Sequence, residues 1–411
     1  MHQKAQEKAF KIIIGSLKNC AIKDNWPQYE SFSVHVESLA KEILKHKKEH
    51  LDSTDVFTIF YDFAYDAIRS VVDGDKKLEG NLWDLLGEER CQQIAETLKN
   101  YFVSIPRTFD IFIPIPEISQ NIPTPIDLSE TISLISFQMP DEIPGGYQVG
   151  LMQLFNKFEV GKVYIRQRAS GYSGGRLENM CVKRALTSLN IILQQGVAGG
   201  FFKLTPEKQA GLGFLGSLSQ HSIKKSSVVS VDNAYQEPKV SKVELPLDTC
   251  RFLNSVDINW EHKAIALAVK TNAVEKAIQA MNRRPIQLIE CQDEEAKGIK
   301  SAINWCFNSY VTENSTLSFL QVCIGLEALL GDTKDNGALT ETLADRCSYL
   351  IGKSIKARNT IKNNFKQLYS VRSKLVHGNV TELNTSESGY LAWGRQILER
   401  AISIEIANLD F

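Results

Sequence analysis

The sequence predicts a mainly α fold, on three observations. Long stretches carry apolar residues at three- and four-residue steps, the spacing of a helix face packed on a core. β-rich text is confined to the middle of the chain, where prolines and glycines break it up. The C-terminal third divides into helical runs with short breaks, the pattern of a compact bundle. At 411 residues, 43% of them hydrophobic, the chain is long enough to build two or three cores.

Residues 1–104 read as a helical N-terminal region, with FSVHVESLAKEILKHKKEH and VFTIFYDFAYDAIRSVV carrying the periodicity. Residues 105–250 read as an α+β region of unknown role. FDIFIPIPEI, TISLISFQM and KVYIRQRA are predicted strands of a small sheet, and LENMCVKRALTSLNIILQQ (177–195) is a predicted helix. The Ser/Lys/Val-rich stretch 222–246 reads as a loop or linker. Residues 260–411, with a core at 290–411, are predicted to form the bundle.

Five helices are expected in that core. The first lies near 294–312, and the second at 315–330, begun by a serine cap and closed by Gly331. The third runs from near Leu339 to Gly352. The fourth covers about 356–376 and stops at Gly378-Asn379, and the fifth covers about 388–409.

Composition excludes several function classes. Net charge is −1, so the whole chain is neither a basic nucleic-acid coat nor an acidic tail. No run of about 18 apolar residues exists and MHQKAQEKAF lacks a signal-peptide pattern, so a cytoplasmic protein without membrane contact is expected. The eight cysteines form no CxxC and no His/Cys cluster with zinc spacing. They read as reduced core thiols, and neither a metal nor a cofactor is expected.

Three features converge on the fourth helix of the bundle. Ile361, Phe365, Leu368 and Leu375 recur at core spacing, and Arg372 falls on their stripe. A guanidinium cannot be deprotonated, so it needs either an acidic partner or a site that uses its charge. Between Asp345 and Glu382 there is no acid, while Arg346, Lys353, Lys356, Arg358, Lys362, Lys366, Arg372 and Lys374 are all cationic. Such a field attracts a polyanion such as RNA; the alternative is a solvated basic face. Glu327 is the lone carboxylate of an otherwise apolar helix, opposite Ser318, Gln321 and Gly325. It needs a cation, Arg372 or Arg346, and such a pair can equally serve only to lock two helices together.

Arg372 and His377 form R-x4-H at the end of a helix. Residues five apart on a continuous helix point about 140° away from each other. Gly378 is expected to let the last turn unwind and free His377; a second copy of the motif from a partner subunit would also relieve the tension. The dipole at a helix C-terminus favours a protonated imidazole, which suits a general acid or base.

The block SFLQVCIGLEALLGD…LTETLADRCSYLIG…FKQLYSVRSKLVHGN resembles a HEPN domain (higher eukaryotes and prokaryotes nucleotide-binding) of the Apea-like branch, over roughly 290–411. R-x4-H followed by glycine, and the GLEALL helix with its lone Glu, carry the resemblance. It implies a metal-independent endoribonuclease that acts as a homodimer through the bundle, a toxin-like effector of antiphage defence. By that analogy Arg372 binds the scissile phosphate. His377 assists attack of the ribose 2′-hydroxyl or protonates the leaving oxygen, giving a 2′,3′-cyclic phosphate. Glu327, Ser373 and Arg346 would support them, and Lys362, Lys366 and Lys374 would hold RNA. The family often places Asn, Asp or His directly after the arginine, where this chain has Ser373. Residues 1–260 match no family; similar proteins place there a module that senses a phage or host trigger. The rival expectation is a non-catalytic HEPN module that binds RNA, a nucleotide or a partner protein.

One motif stands apart. KVYIRQRASGYSGGRLENM runs strand, glycine-rich turn, helix, an arrangement whose helix N-terminus can hold a phosphate, but it lacks the GKS/T of a P-loop. A flexible turn is the simpler expectation. His35, His46, His50, His221 and His262 have no neighbours in sequence that suggest a catalytic triad.

Overall fold

A computed structural model describes residues 1–72, 77–115, 124–146, 157–204, 225–232, 238–331, 339–378, 380–384 and 386–410. The described chain is mainly helical with some sheet, in agreement with the expected class. His221 and Asn379 lie outside the described residues.

The chain opens with helix α1 (Gln3–Lys18), short strands β1 (Ala21–Lys23) and β2 (Trp26–Pro27), and helices α2 (Tyr29–Lys47) and α3 (Ser53–Arg69). Strand β3 (Gly80–Asn81), helix α4 (Leu82–Leu86) and helix α5 (Glu88–Ser104) follow. α3 starts sharply because Asp52 and Asp55 form a reciprocal capping box: each side chain accepts from the other's backbone N–H, at 2.8 and 2.9 Å.

Next come β4 (Arg107–Ile115), β5 (Ile126–Asp127), β6 (Ile132–Ser136), β7 (Val163–Gly171), α6 (Met180–Ala198), β8 (Phe202–Leu204), β9 (Ser227–Asp232) and β10 (Lys239–Glu244). Six of these strands form one sheet in the order β10-β9-β4-β7-β6-β5, with every pairing antiparallel. Pro114 is tolerated in a central strand because β9 pairs only with residues 109–112 of β4.

The stretch 222–246 departs from its expectation: its described part is the β9–β10 hairpin, not a linker. Val228, Val229 and Val231 of β9 are buried on both faces, so no polar alternation marks the strand. β10 is an edge strand with Lys239 and Lys242 along it, the composition that protects an edge and also resembles a linker.

Phe109, Ile111, Ile113 and Ile115 of β4 face a core that also holds Leu189 and Ile192 of α6 and Val36, Phe60 and Phe102 of the N-terminal helices. Residues 1–104 and the sheet of 105–250 therefore share one continuous hydrophobic core. Phe112, Phe137, Phe158 and Tyr164 form a small aromatic cluster on the opposite sheet face.

Helix α7 (Leu247–Ser255), strand β11 (Val256–Ile258) and helices α8 (Lys263–Lys270) and α9 (Val274–Glu290) lead into the bundle. It comprises α10 (Glu294–Val311), α11 (Ser315–Leu330), α12 (Leu339–Ile351), α13 (Ile355–Val376) and α14 (Ser388–Asn408), which match the five expected helices. The cap of α11 is Asn314, whose side chain accepts from the N–H of Leu317 at 2.9 Å; Ser315 is already the first helical residue.

The bundle has its own core, which includes Phe319, Val322, Leu326, Phe365, Leu368 and Leu398. α6 bridges the two cores: Ile191 belongs to the second, and the buried Gln194 donates to Cys306 Sγ at 3.6 Å. All eight cysteines are free and seven are buried. Among the described residues no helix is long and apolar enough to cross a membrane, and no group of three His, Cys, Asp or Glu is placed to hold a metal ion.

Candidate functional site

α13 begins at Ser354, whose hydroxyl accepts from the N–H of Ala357 at 3.2 Å. Its buried face consists of Phe365, Leu368, Tyr369 and Val371. The face stops there; Leu375 packs on the core only partly, and Ser373, Lys374 and Val376 are exposed. Arg372 thus sits where the apolar stripe leaves the bundle.

Its partner is Glu327 of α11, with Nη2 and Oε1 3.3 Å apart. The side chains keep 31% and 25% of their exposure, so the pair lies at a solvent boundary and not inside the bundle. Oε1 of Glu327 is sealed from water and accepts no aligned hydrogen bond, so the contact is one of charge alone. Beneath it Tyr369 stacks on Phe365 at 4.8 Å and donates to the Cys323 carbonyl at 3.4 Å. Burial, reinforced by the Glu327 carboxylate, pushes the Tyr369 phenol far above its ordinary value, so it stays neutral. Nη2 of Arg372 faces Glu327, and among the described residues the guanidinium makes no hydrogen bond.

Arg346, the other expected partner for Glu327, instead donates to the Leu330 carbonyl at 2.7 Å, closing the C-terminus of α11. Arg358 closes α12 in the same manner, donating to the Gly352 carbonyl at 3.0 Å while its guanidinium lies 4.5 Å from the Tyr349 ring centre.

The basic field is less one-sided than the sequence order implies. Lys362 lies 2.6 Å from Asp345, and Lys366 lies 2.5 Å from Glu341. The Lys366 ammonium lowers the Glu341 carboxyl below its ordinary range. Both acids precede the acid-free stretch, and the α12–α13 packing folds them back on it. These pairs lie at the surface, where solvent screens them, so they leave the lysines exchangeable. Among the described residues Lys353, Lys356 and Lys374 make no ion pair.

The expected unwinding before Gly378 does not occur. His377 is the C-cap of α13, and its backbone N–H still donates to the Ser373 carbonyl at 3.0 Å. Only Gly378, at φ +72°, takes the left-handed conformation, and it turns the chain after the histidine. The exposed imidazole therefore keeps its helical direction, about 140° around the axis from Arg372. Within one chain the two side chains face different sides.

The glycine-rich turn before α6 also differs from expectation. It is held rigidly, because Asn179, fully buried, accepts from the N–H groups of Gly174 and Arg176 and donates to Asp55 at 2.6 Å. Arg176 bridges Asp52 and Asp55 at 3.3 and 3.0 Å. Three carboxylates, counting Glu178, surround this helix start, which disfavours an anion there. Sequence spacing gave no warning of the network, since Asp55 lies more than a hundred residues before its partners.

No family model matches the chain, and no curated protein or solved structure shows significant similarity to it.

Proposed function

We propose that the C-terminal bundle is a HEPN-type endoribonuclease with Arg372 and His377 as its reacting groups. It would need no metal or cofactor, and the chain would serve in the cytoplasm as a toxin-like effector against phage. The observation that carries this reading is the half-exposed Arg372, held at the bundle boundary by one carboxylate, with an exposed imidazole at the end of the same helix. Arg372 would grip the non-bridging phosphate oxygens through the N–H groups that Glu327 leaves unused. His377 would take the proton of the ribose 2′-hydroxyl as O2′ attacks phosphorus. The P–O5′ bond then breaks, and the departing oxygen takes up a proton, leaving a 2′,3′-cyclic phosphate and a 5′-hydroxyl. Glu327 restricts the rotamers of Arg372, Ser373 adds a hydroxyl beside it, and Arg346 holds the end of the Glu327 helix. Lys362, Lys366 and Lys374 would track the RNA backbone. The divergence of Arg372 and His377 favours a homodimer in which each site draws on both copies.

A second reading, a non-catalytic module that binds RNA, a nucleotide or a partner protein, is favoured by the ion pairs already made by Arg372, Lys362 and Lys366. Incubation of the full chain with RNA in EDTA separates the two. The ribonuclease reading expects cleavage by wild type and loss of about 100-fold or more in Arg372→Ala and His377→Ala. A gel shift without cleavage supports the binding module.

A further inference from the structure

A cleft of about 500 Å³ including its mouth opens between α3, the glycine-rich turn and the β9–β10 hairpin. Aromatic side chains form its walls: Phe63 and Tyr101 in edge contact at 5.5 Å, and Phe109 and Tyr172 at 6.3 Å. Two carboxylates line it. Asp232, almost fully buried, is paired with Arg107 at 3.2 Å. Asp62 is only partly exposed, yet it accepts no hydrogen bond and makes no ion pair among the described residues. Lys239, exposed at the rim, is the cation that acts on it from a distance. Burial raises the Asp62 carboxyl above its ordinary value, the cost of holding that charge without a partner. The wall formed by the turn is preorganised, because Asn179 and Arg176 tie it to Asp55 and Ser173 bonds to Ser230 at 2.6 Å.

A carboxylate without a partner in an aromatic-walled cleft is complementary to a cation on an apolar stem: the rings attract it through their faces, and the carboxylate supplies the counter-charge. An anion would meet Asp62, since Asp232 is already neutralised by Arg107. We propose that this cleft binds an organic ammonium carried on a ring-sized apolar group, with Asp62 as its counter-ion. The site is separate from the bundle and does not depend on any RNA chemistry.

Calorimetric titration of the full chain with phenethylamine and with 3-phenylpropionate, its anionic counterpart in size, tests the assignment. The amine is expected to bind at least about tenfold tighter than the acid, and Asp62→Asn to weaken it by about tenfold or more. Lys239→Gln, an exposed change that leaves the fold intact, is expected to tighten the amine severalfold by removing a like charge. Should Asp62→Asn not fold, the amine-to-acid ratio and Lys239→Gln still decide. No heat of binding up to about 10 mM amine, equal or tighter binding of the acid, or an amine affinity unchanged in either variant overturns the proposal.

Discussion

At the scale of the residue, Arg372 shows how far spacing reaches. Its place on a core stripe and the lone acid of the GLEALL helix were both readable, and the structure joins them at 3.3 Å. The pairing of Lys362 and Lys366 with Asp345 and Glu341 was not readable, because it needs the packing of α12 on α13. Asp55 was invisible for the same reason, and it carries a pH prediction. Burial pushes its carboxyl up to about 6, against the lowering effect of its hydrogen bonds and Arg176. A carboxyl raised on folding takes up a proton between about pH 4 and 6, so its contribution to stability is lost as pH rises through that window. Glu42, lowered by Lys8 and Lys45, acts in the opposite sense below it. The unfolding free energy of wild type minus that of Asp55→Asn, measured by urea titration, should therefore be larger at pH 5 than at pH 7.5, by about 1 kcal/mol. An unchanged difference would place the Asp55 titration outside that window.

At the scale of the element, helices with caps and clear periodicity were readable to within a residue or two, as α11 and α13 illustrate. Elements defined by their neighbours were not: β9 lacks alternation because both its faces are covered, and β10 has the composition of a linker. Close approach between helices was equally hidden. An added Cβ at Gly394 of α14 would meet Leu368 Cδ1 at 2.8 Å and Val322 Cγ1 at 3.0 Å, whereas at Gly389 of the same helix it would meet nothing within 4 Å. Gly394→Ala should cost about 1–2 kcal/mol net of helix propensity, and Gly389→Ala should gain up to about 1 kcal/mol. Urea unfolding of the two variants checks this; the same sign for both would refute the close packing of α14 on α11 and α13.

At the scale of the whole molecule, the sequence conveyed a bundle following an α+β region, but not that residues 1–104 and the sheet share one core, nor that α6 links that core to the bundle. The orientation of His377 also bears on assembly. If each site combines Arg372 of one copy with His377 of the other, an inactive Arg372→Ala chain and an inactive His377→Ala chain complement each other. Half the dimers in an equal mixture are then heterodimers with one intact site of two, which restores about a quarter of wild-type cleavage. A mixture with no cleavage would place both groups of a working site on one chain.

The proposed chemistry depends on a ribose hydroxyl acting as nucleophile under the control of Arg372 and His377. The most direct measurement compares two oligonucleotides identical except for a single 2′-deoxy sugar at the mapped cleavage position, each treated with wild-type chain in EDTA. The all-ribose strand is expected to be cut to a 2′,3′-cyclic phosphate end and the substituted strand to stay intact at that position. Cutting of the deoxy-substituted strand at the same bond, or ribose-strand products lacking a cyclic or 3′-phosphate end, would contradict it.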